Sequence, residues 1–294
     1  MEHVLIRRLR PTRWPHLVRQ GIARIIPPRL DSYHRFRDRF TERMGLEIGG
    51  PSRFFQPGGL LPVYPVAARI DNCNFGAETI WEGAISGRRE FRFDPRRAPG
   101  KQYICEATDL GCIADASYDF LLSSHMLEHC ANPLRALSEW QRVLKVDGTL
   151  FLVLPHKDGT FDRKRPVTAL EHMIQDFERG VGENDVTHLP EILALHDASV
   201  DFGIGSNEDF SARSARNYAN RALHHHVFNA RAAVELVDHA RFRIHSVEVA
   251  RPEHIAILAT KTVAGVTADN GPFLRDDAGY RRTSPFQSDR AGGR

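Results

Sequence analysis

Residues 44–52 read Met-Gly-Leu-Glu-Ile-Gly-Gly-Pro-Ser, and this stretch decides the fold class. It has the pattern of a short buried strand that carries an acidic residue, Glu47, and ends in a turn with Gly49, Gly50 and Pro51. Glycine has no Cβ and adopts unusual backbone angles, so such a turn lets the main chain approach a ligand closely. In an open α/β sheet, ligands bind just beyond the carboxyl ends of the strands. The stretch therefore predicts where a nucleotide-like cofactor lies.

Four downstream segments repeat this pattern of an apolar run that ends in polar residues. The first, residues 63–70, is followed by Asp71 and Asn72, at the spacing of about 20 residues expected for the acidic partner of ribose hydroxyls in a βαβ cofactor site. A carboxylate accepts two such hydroxyl hydrogen bonds with charge assistance. The other three segments end at residues 106–109, at Ser124 and at Pro155. Together with the glycine turn, these strand ends are expected to line one crevice.

In this order, the segments resemble the class I S-adenosylmethionine-dependent methyltransferases. The resemblance covers residues 45–261 in pattern and is most specific between 109 and 155, where Tyr-Asp-Phe at 118–120 and Leu-Glu-His at 127–129 follow in the family's order. The chain departs from the family's Gly-x-Gly-x-Gly turn, because Pro51 has a fixed φ and no N–H to donate. The Gly-Gly-Pro-Ser form resembles methyltransferases of bacterial polysaccharide and glycolipid pathways.

The resemblance implies an α/β fold. The expected form is a Rossmann-like, doubly wound, mostly parallel seven-stranded sheet with a long helical and loop insertion after strand five. It also implies S-adenosylmethionine as the cofactor, with the adenine near Glu106, Ala107 and Asp109. The cofactor-binding residues that it predicts are Glu47, Gly49, Gly50, Pro51, Asp71, Asn72, Glu106, Ala107, Asp109 and Ser124.

Composition limits the protein class. The 294 residues are 41% hydrophobic, enough for one large domain with an ordinary core. The sequence has no apolar run long enough for a transmembrane helix, and its N-terminus lacks the apolar core of a secretory signal. The four cysteines contain no C-x-x-C pair and are typical of thiols in a reducing compartment. We therefore expect a cytoplasmic protein.

The predicted organisation has three parts: a basic arm at 1–43, a methyltransferase domain at 44–261 and a tail at 262–294. The arm has eleven arginines against four acidic residues, and its apolar side chains from Trp14 to Ile26 have helical spacing. We favour a helix packed beside the sheet, and an arm lying on an anionic membrane surface is the alternative. The tail is rich in Gly, Asp, Arg and Ser, so disorder is predicted.

Within the domain, residues 156–225 form a long polar insertion with predicted helices at 167–179 and 189–195. Long loops inside a compact domain are usually functional, so the insertion is expected to shape the acceptor pocket. A helix at 227–240 and strands near 242–249 and 254–261 complete the pattern.

Methyl transfer to a hydroxyl needs an in-line nucleophile and a group that removes its proton. Histidine is the usual base at neutral pH, and the fifteen histidines concentrate after strand five. We predict that His156, His188 and His226 lie near the acceptor and that one of them is the base. For any single histidine, a hydrogen-bonded surface role is at least as good an interpretation.

The insertion also has carboxylates that would suit Mg²⁺ or Mn²⁺, namely Asp162, Glu171, Asp176, Asp185, Glu191 and Asp197. Their spacings match no metal motif, and solvated charges and helix caps are the favoured interpretation. The sequence has no zinc pattern of the C-x-x-C or H-E-x-x-H type.

The favoured function is O-methylation of a sugar or glycolipid hydroxyl. A lipid or quinone acceptor, and a non-catalytic interaction protein that keeps the fold, are the alternatives. A dehydrogenase is disfavoured, because a pyrophosphate needs Gly-x-Gly-x-x-Gly at the start of a helix. The expected partner is a small-molecule or glycan acceptor. Any peripheral membrane contact is expected to involve the basic arm. Nucleic acid is the least favoured partner, because the arm lacks a recognition motif. The sequence does not indicate an oligomeric state.

Overall fold

The computed structural model describes residues 29–79, 83–85, 90–201 and 206–290. The helix predicted between Trp14 and Ile26 lies outside the described residues, and so does most of the basic arm with its membrane hypothesis. Within the described part, every helix is too short or too polar to cross a membrane.

A single twisted sheet forms the centre of the described chain, with strand order β5-β6-β2-β1-β7-β8-β10-β9. A separate hairpin pairs β3 with β4. The strands are β1 (Met44–Ile48), β2 (Arg69–Asn74), β3 (Glu78–Thr79), β4 (Gly83–Ala84), β5 (Glu90–Phe91), β6 (Gly100–Ile104), β7 (Tyr118–Ser124), β8 (Leu144–Pro155), β9 (Phe242–Ala250) and β10 (His254–Lys261).

The sheet has eight strands, so the expected number of seven is wrong. The extra strand is β5, two residues that pair antiparallel with the edge of β6. A two-residue strand is too short to show the alternation by which strands are recognised in a sequence. The four central pairings, β6-β2, β2-β1, β1-β7 and β7-β8, are parallel, and β10 pairs antiparallel with both β8 and β9. The expected Rossmann-like, mostly parallel centre is present.

The strand order reverses between β1 and β7. From β1 the chain builds outward through β2 to β6, then returns to the other side of β1 with β7 and β8. Loops from neighbouring strands part at such a switch point and leave a crevice at the carboxyl ends. This topology fixes the location of the cavity described below.

Nine α-helices are described: α1 (Asp31–Phe36), α2 (Pro133–Val143), α3 (Leu170–Arg179), α4 (Leu189–Leu195), α5 (Asn207–Ala215), α6 (Asn217–Asn220), α7 (Ala230–His239), α8 (Gly271–Leu274) and α9 (Gly279–Thr283). Helix α2 starts as its sequence indicates: Asn132 accepts a hydrogen bond from the Arg135 N–H, and Pro133 takes the first turn.

The two faces of the sheet are covered differently. Leu121 of β7 faces a core completed by α2 and α7, whereas its neighbours Phe120 and Leu122 face a second core on the other side. Burial on both faces is typical of a parallel central strand. The second core is aromatic and is supplied largely by the β1–β2 connection, with Phe54, Phe55 and Tyr64. That connection contains a short 3₁₀ turn at Arg53–Phe55 in place of an α-helix.

The tail is ordered as far as Arg290, so the prediction of disorder for 262–294 is wrong over most of its length. Tyr280 and Phe286 are buried, and the Asp289 carboxylate accepts a hydrogen bond from the Ala230 N–H at the start of α7. The average composition of the tail hid these few anchoring side chains.

Candidate functional site

A cavity of about 540 Å³ lies at the carboxyl ends of β1, β2, β6 and β7. Each of these strands contributes wall residues: Gly49 after β1, Asn74 at the end of β2, Glu106 after β6 and Ser124 at the end of β7. The far wall comes from the insertion. The carboxyl ends therefore converge as the strand pattern predicts.

The turn after β1 needs both of its glycines. Gly49 has φ +79°, and a Cβ there would lie 2.8 Å from Met126 Cγ. A Cβ on Gly50 would lie 2.3 Å from the Glu47 carboxyl carbon. Gly49 and Pro51 line the cavity, whereas Gly50 lies behind the turn and exchanges hydrogen bonds with the Asn72 side chain.

The backbone N–H groups of this turn are used inside the protein. Gly49 donates to the Cys73 carbonyl, Gly50 to Asn72 Oδ1 and Ser52 to Glu47 Oε1. Glu47 is fully buried and also accepts from the Tyr64 hydroxyl at 2.5 Å. Glu47 and Asn72, both expected to contact the cofactor, therefore brace the turn from behind.

Asp71 lies in the interior of its strand, not at the end. Its carboxylate accepts from the Tyr118 hydroxyl at 2.8 Å, from the Lys101 N–H at 2.8 Å and from Arg69 Nε at 2.7 Å. The apolar run at 63–70 suggested a strand that ends at Ile70, but residues 63–67 turn and β2 starts at Arg69. At the carboxyl end of β2, Cys73, Asn74 and Phe75 line the cavity instead.

The segment after β6 divides its predicted residues. Ala107 and Glu106 line the cavity, but the Glu106 carboxylate pairs with Arg221 at 2.5 Å. The Arg221 guanidinium also lies over the Phe75 ring, 5.3 Å from its centroid. Asp109 is exposed and accepts from the Gly111 N–H, away from the cavity.

His156, predicted as a base, lies outside the cavity wall. It is fully buried, stacks on Phe286 with ring centroids 4.1 Å apart, and places Nε2 3.2 Å from Asp289 Oδ2. Its Nδ1 accepts from the Asp158 N–H. The ordered tail covers this histidine, which is why its position after β8 was misleading.

His188 and His226 also lie outside the cavity. They form a separate cluster with His172 and Asp176 of α3. The chain bends at residues 225 and 226, so the neighbouring histidines point in different directions. His224 faces the cavity and His226 faces the cluster.

The titratable groups that line the cavity include Glu128, His129 and His125 from the turn after β7 and His224 from the insertion. Glu128 Oε1 lies 3.8 Å from His129 Nε2 and 4.0 Å from His125 Nδ1. Both Glu128 oxygens are buried without a hydrogen bond from the described residues. Burial raises the pKa of Glu128 to about 7. The sequence interpretation missed this carboxylate, although the Leu-Glu-His signal marked its position.

An ion pair supports the His224 side of the cavity. His224 Nδ1 lies 2.5 Å from Asp162 Oδ2, and buried Arg165 binds the other Asp162 oxygen at 2.9 Å. Burial opposes charge on both partners, but their attraction raises the pKa of His224, and His224 with Arg165 lowers the pKa of Asp162 to about 2.

Three of the six carboxylates considered for Mg²⁺ or Mn²⁺ form ion pairs with arginines. Asp162 and Glu191 bind Arg165, and Asp197 binds Arg163. In the cavity itself, Glu128, His129 and His224 bring ligand atoms within 4.8 Å of one another, so a divalent ion would find its donors there.

Among protein families, the one described as "Methyltransferase domain" matches residues 87–152. No curated protein matches the sequence. Solved structures that match the chain include a SAM-dependent methyltransferase from Aquifex aeolicus, with 11% identity, 78% of this chain and 89% of that chain covered, and a TM-score of 0.42.

A SAM-dependent methyltransferase from Methanosarcina mazei shares 17% identity, with 80% and 100% coverage and a TM-score of 0.46. The 1,6-didemethyltoxoflavin-N1-methyltransferase of Burkholderia thailandensis shares 14%, with 79% and 84% coverage and a TM-score of 0.42. Likeness this distant assigns no activity. The family match supports a methyltransferase domain.

Proposed function

We propose that this chain is a SAM-dependent methyltransferase that methylates a hydroxyl group of a polar acceptor, of the sugar or glycolipid class. The observation that carries the proposal is the convergence of Gly49, Asn74, Ala107 and Ser124 on one cavity at the switch point of the sheet. The methyltransferase-domain match at 87–152 contains two of the strands that build this cavity, β6 and β7.

The cavity walls fit the cofactor. Gly49 leaves space at the cavity wall, because a side chain at this position would clash with Met126. Asn74 and Phe75 occupy the strand end where a ribose is bound in such folds, and Ala107 leaves room beside them for a flat ring. A volume of about 540 Å³ lies within the range of small-molecule sites. When bound, S-adenosylmethionine supplies an electrophilic methyl group.

A dehydrogenase fits this site poorly. A pyrophosphate is bound by free backbone N–H groups at the start of an α-helix. Here the turn leads into a 3₁₀ turn at Arg53–Phe55, and the N–H groups of Gly49, Gly50 and Ser52 already have protein acceptors.

The insertion side of the cavity supports a polar acceptor. Its charged side chains are Glu183, Asp201, Arg213, Arg221 and His224. Hydroxyl groups can hydrogen-bond to such side chains, whereas a quinone or lipid would displace water from them without offering comparable hydrogen bonds.

Glu128 is the group best placed to act as base. Glu128 lines the cavity, both of its buried carboxylate oxygens lack hydrogen bonds from the described residues, and a pKa of about 7 suits proton transfer near neutrality. One of its oxygens would take the acceptor's hydroxyl proton, while His129, held through Nδ1 by the Leu223 carbonyl, flanks it. This role replaces the one predicted for His156, His188 and His226.

Calorimetric titration with S-adenosylhomocysteine tests the cofactor assignment. We expect micromolar binding to the full chain, and Gly49→Ala should weaken it roughly tenfold or more because of the Met126 clash and the positive φ. Gly58→Ala is the matched control, since a Cβ there meets nothing within 4 Å. Binding of NADH without S-adenosylhomocysteine would overturn the proposal.

The acceptor class is tested with methyl-labelled S-adenosylmethionine against sugar nucleotides, glycolipids and quinols, each with and without chelator. Mass spectrometry of the product locates the methyl group. A methyl group on nitrogen, sulfur or carbon would rule out a hydroxyl acceptor.

A further inference from the structure

Four side chains of the insertion converge outside the cavity. His172 and Asp176 stand one turn apart on the same face of α3, His188 precedes α4, and His226 precedes α7. One ligand atom from each lies within 4.8 Å of the other three. We call these residues the insertion cluster; none of them lines the cavity.

The spacing of the ligand atoms approaches that of a tetrahedral metal site. Metal–nitrogen bonds of about 2.0–2.1 Å place tetrahedral ligand atoms about 3.3–3.4 Å apart. In the insertion cluster, His172 Nε2 lies 3.1 Å from His188 Nε2 and 3.3 Å from Asp176 Oδ2. A ring nitrogen of His226 lies within 4.8 Å of the ligand atoms of the other three residues.

Two buried atoms of the cluster lack a hydrogen bond among the described residues. They are Asp176 Oδ2 and His226 Nδ1, in residues that are 6% and 1% exposed. Buried polar atoms are otherwise paired as a rule. His226 Nε2 lies 3.2 Å from the Ala131 carbonyl, which it meets as a donor, so Nδ1 keeps its lone pair. Donation from the second ring nitrogen to a carbonyl is the usual arrangement of a metal-binding histidine.

We propose that the insertion cluster binds one zinc ion through His172, Asp176, His188 and His226. Three imidazoles and one carboxylate suit zinc or a similar first-row transition metal, and they do not suit Mg²⁺. Because all four positions come from the protein, the site is structural. The proposal does not depend on the methyltransferase activity.

The ion would join three segments that are distant in the chain. It would tie α3 and the start of α4 to the residues before α7. One hydrogen bond links the residue next to His226 to the cavity wall, because the His225 N–H donates to the carbonyl of Glu128, which lines the cavity. Zinc would therefore hold the acceptor side of the cavity in place.

Metal analysis of the full chain, purified without chelator and desalted after incubation with zinc, tests the proposal. We expect about one bound zinc per chain, and loss of nearly all of it in His172→Ala. His239→Ala, at the exposed end of α7, is the matched control and should keep the ion. Substitution with Co²⁺ should give the strong visible absorption of a tetrahedral site in the wild type and in His239→Ala only.

A further variant separates this site from the cavity. Glu128→Gln removes a carboxylate that could bind a metal in the cavity and leaves the insertion cluster unchanged. This variant should therefore retain the zinc. Zinc that is lost in Glu128→Gln but kept in His172→Ala would overturn the proposal, and so would a wild-type chain that holds none. If His172→Ala fails to fold by circular dichroism, Asp176→Asn, which keeps the side-chain shape, replaces it with the same expected loss.

Discussion

Two groups of histidines and carboxylates lie close together in this molecule and differ in what surrounds them. Glu128, His129 and His224, the cavity cluster, open onto a space of about 540 Å³. The insertion cluster has similar residue types but lies outside that space, between α3, α4 and the residues before α7. The two roles that we propose, proton transfer for one cluster and metal binding for the other, therefore follow from position relative to the cavity and not from residue type.

The largest expected effect tests the chemical role of the cavity cluster. Glu128→Gln removes the proposed base and should lower turnover by about 10²–10⁴-fold, with S-adenosylhomocysteine affinity kept. Steady-state kinetics and calorimetry measure the two quantities. Glu178→Gln, on the exposed side of α3, is the control. Normal turnover of the Glu128→Gln variant would show that another group is the base.

The same residue predicts a dependence on pH. A base with a pKa of about 7 gives a rate that rises through that pH and then levels off. The free energy of unfolding has the opposite trend. The pKa of Glu128 in the folded chain lies above its ordinary value of 4.5, so the native state holds a proton that the unfolded state releases. The stability that Glu128 contributes is therefore lost as the pH rises from about 4.5 to 7. Glu128→Gln should therefore stabilise the chain at pH 8, by up to about 3 kcal/mol. Urea unfolding of the wild type and the variant at pH 5 and pH 8 measures this stabilisation. An equal change in the free energy of unfolding at both pH values would contradict the prediction.

The insertion cluster should respond to metal where the cavity cluster does not. Free zinc at about 100 times its dissociation constant would stabilise the wild type by about 2.7 kcal/mol. Thermal unfolding with zinc and with chelator measures the effect, which should disappear in His172→Ala and persist in His239→Ala. A persistent effect in both would place the ion elsewhere.

The smallest effects concern the floor of the cavity. Asp71→Asn should lower the free energy of unfolding by about 1–3 kcal/mol, because Tyr118 and Lys101 lose a charged acceptor. It should leave S-adenosylhomocysteine binding unchanged. Asn74→Ala, at the cavity, should weaken that binding. Calorimetric titration of both variants with S-adenosylhomocysteine measures the difference. Weaker binding by Asp71→Asn with unchanged binding by Asn74→Ala would show that Asp71 is the ribose contact.

Much of the framework could be predicted from local sequence. The start of α2 at Asn132 and Pro133, the strands β9 and β10, and the helix α4 at 189–195 follow from caps and periodicity over a few residues. Of the predicted cofactor residues, Gly49, Pro51, Glu106, Ala107 and Ser124 line the cavity.

Other predicted site residues do not line the cavity, and for two of them the reason is a contact between distant parts of the chain. His156 is covered by Phe286 and Asp289 from a tail that looked disordered. Asp71 moved inside its strand because the register of β2 against β1 sets Ile70 opposite Gly45.

The sequence by itself determined the order of strands and helices and the glycine turn after β1, since backbone hydrogen bonding and side-chain alternation act over neighbouring residues. Only the tertiary structure decided which histidine meets which carboxylate. Glu128 and His224 are neighbours in space although almost a hundred residues separate them, and the bend at residues 225 and 226 turns one histidine to the cavity and another to the insertion cluster. Such pairings depend on packing between whole elements, which no local pattern encodes.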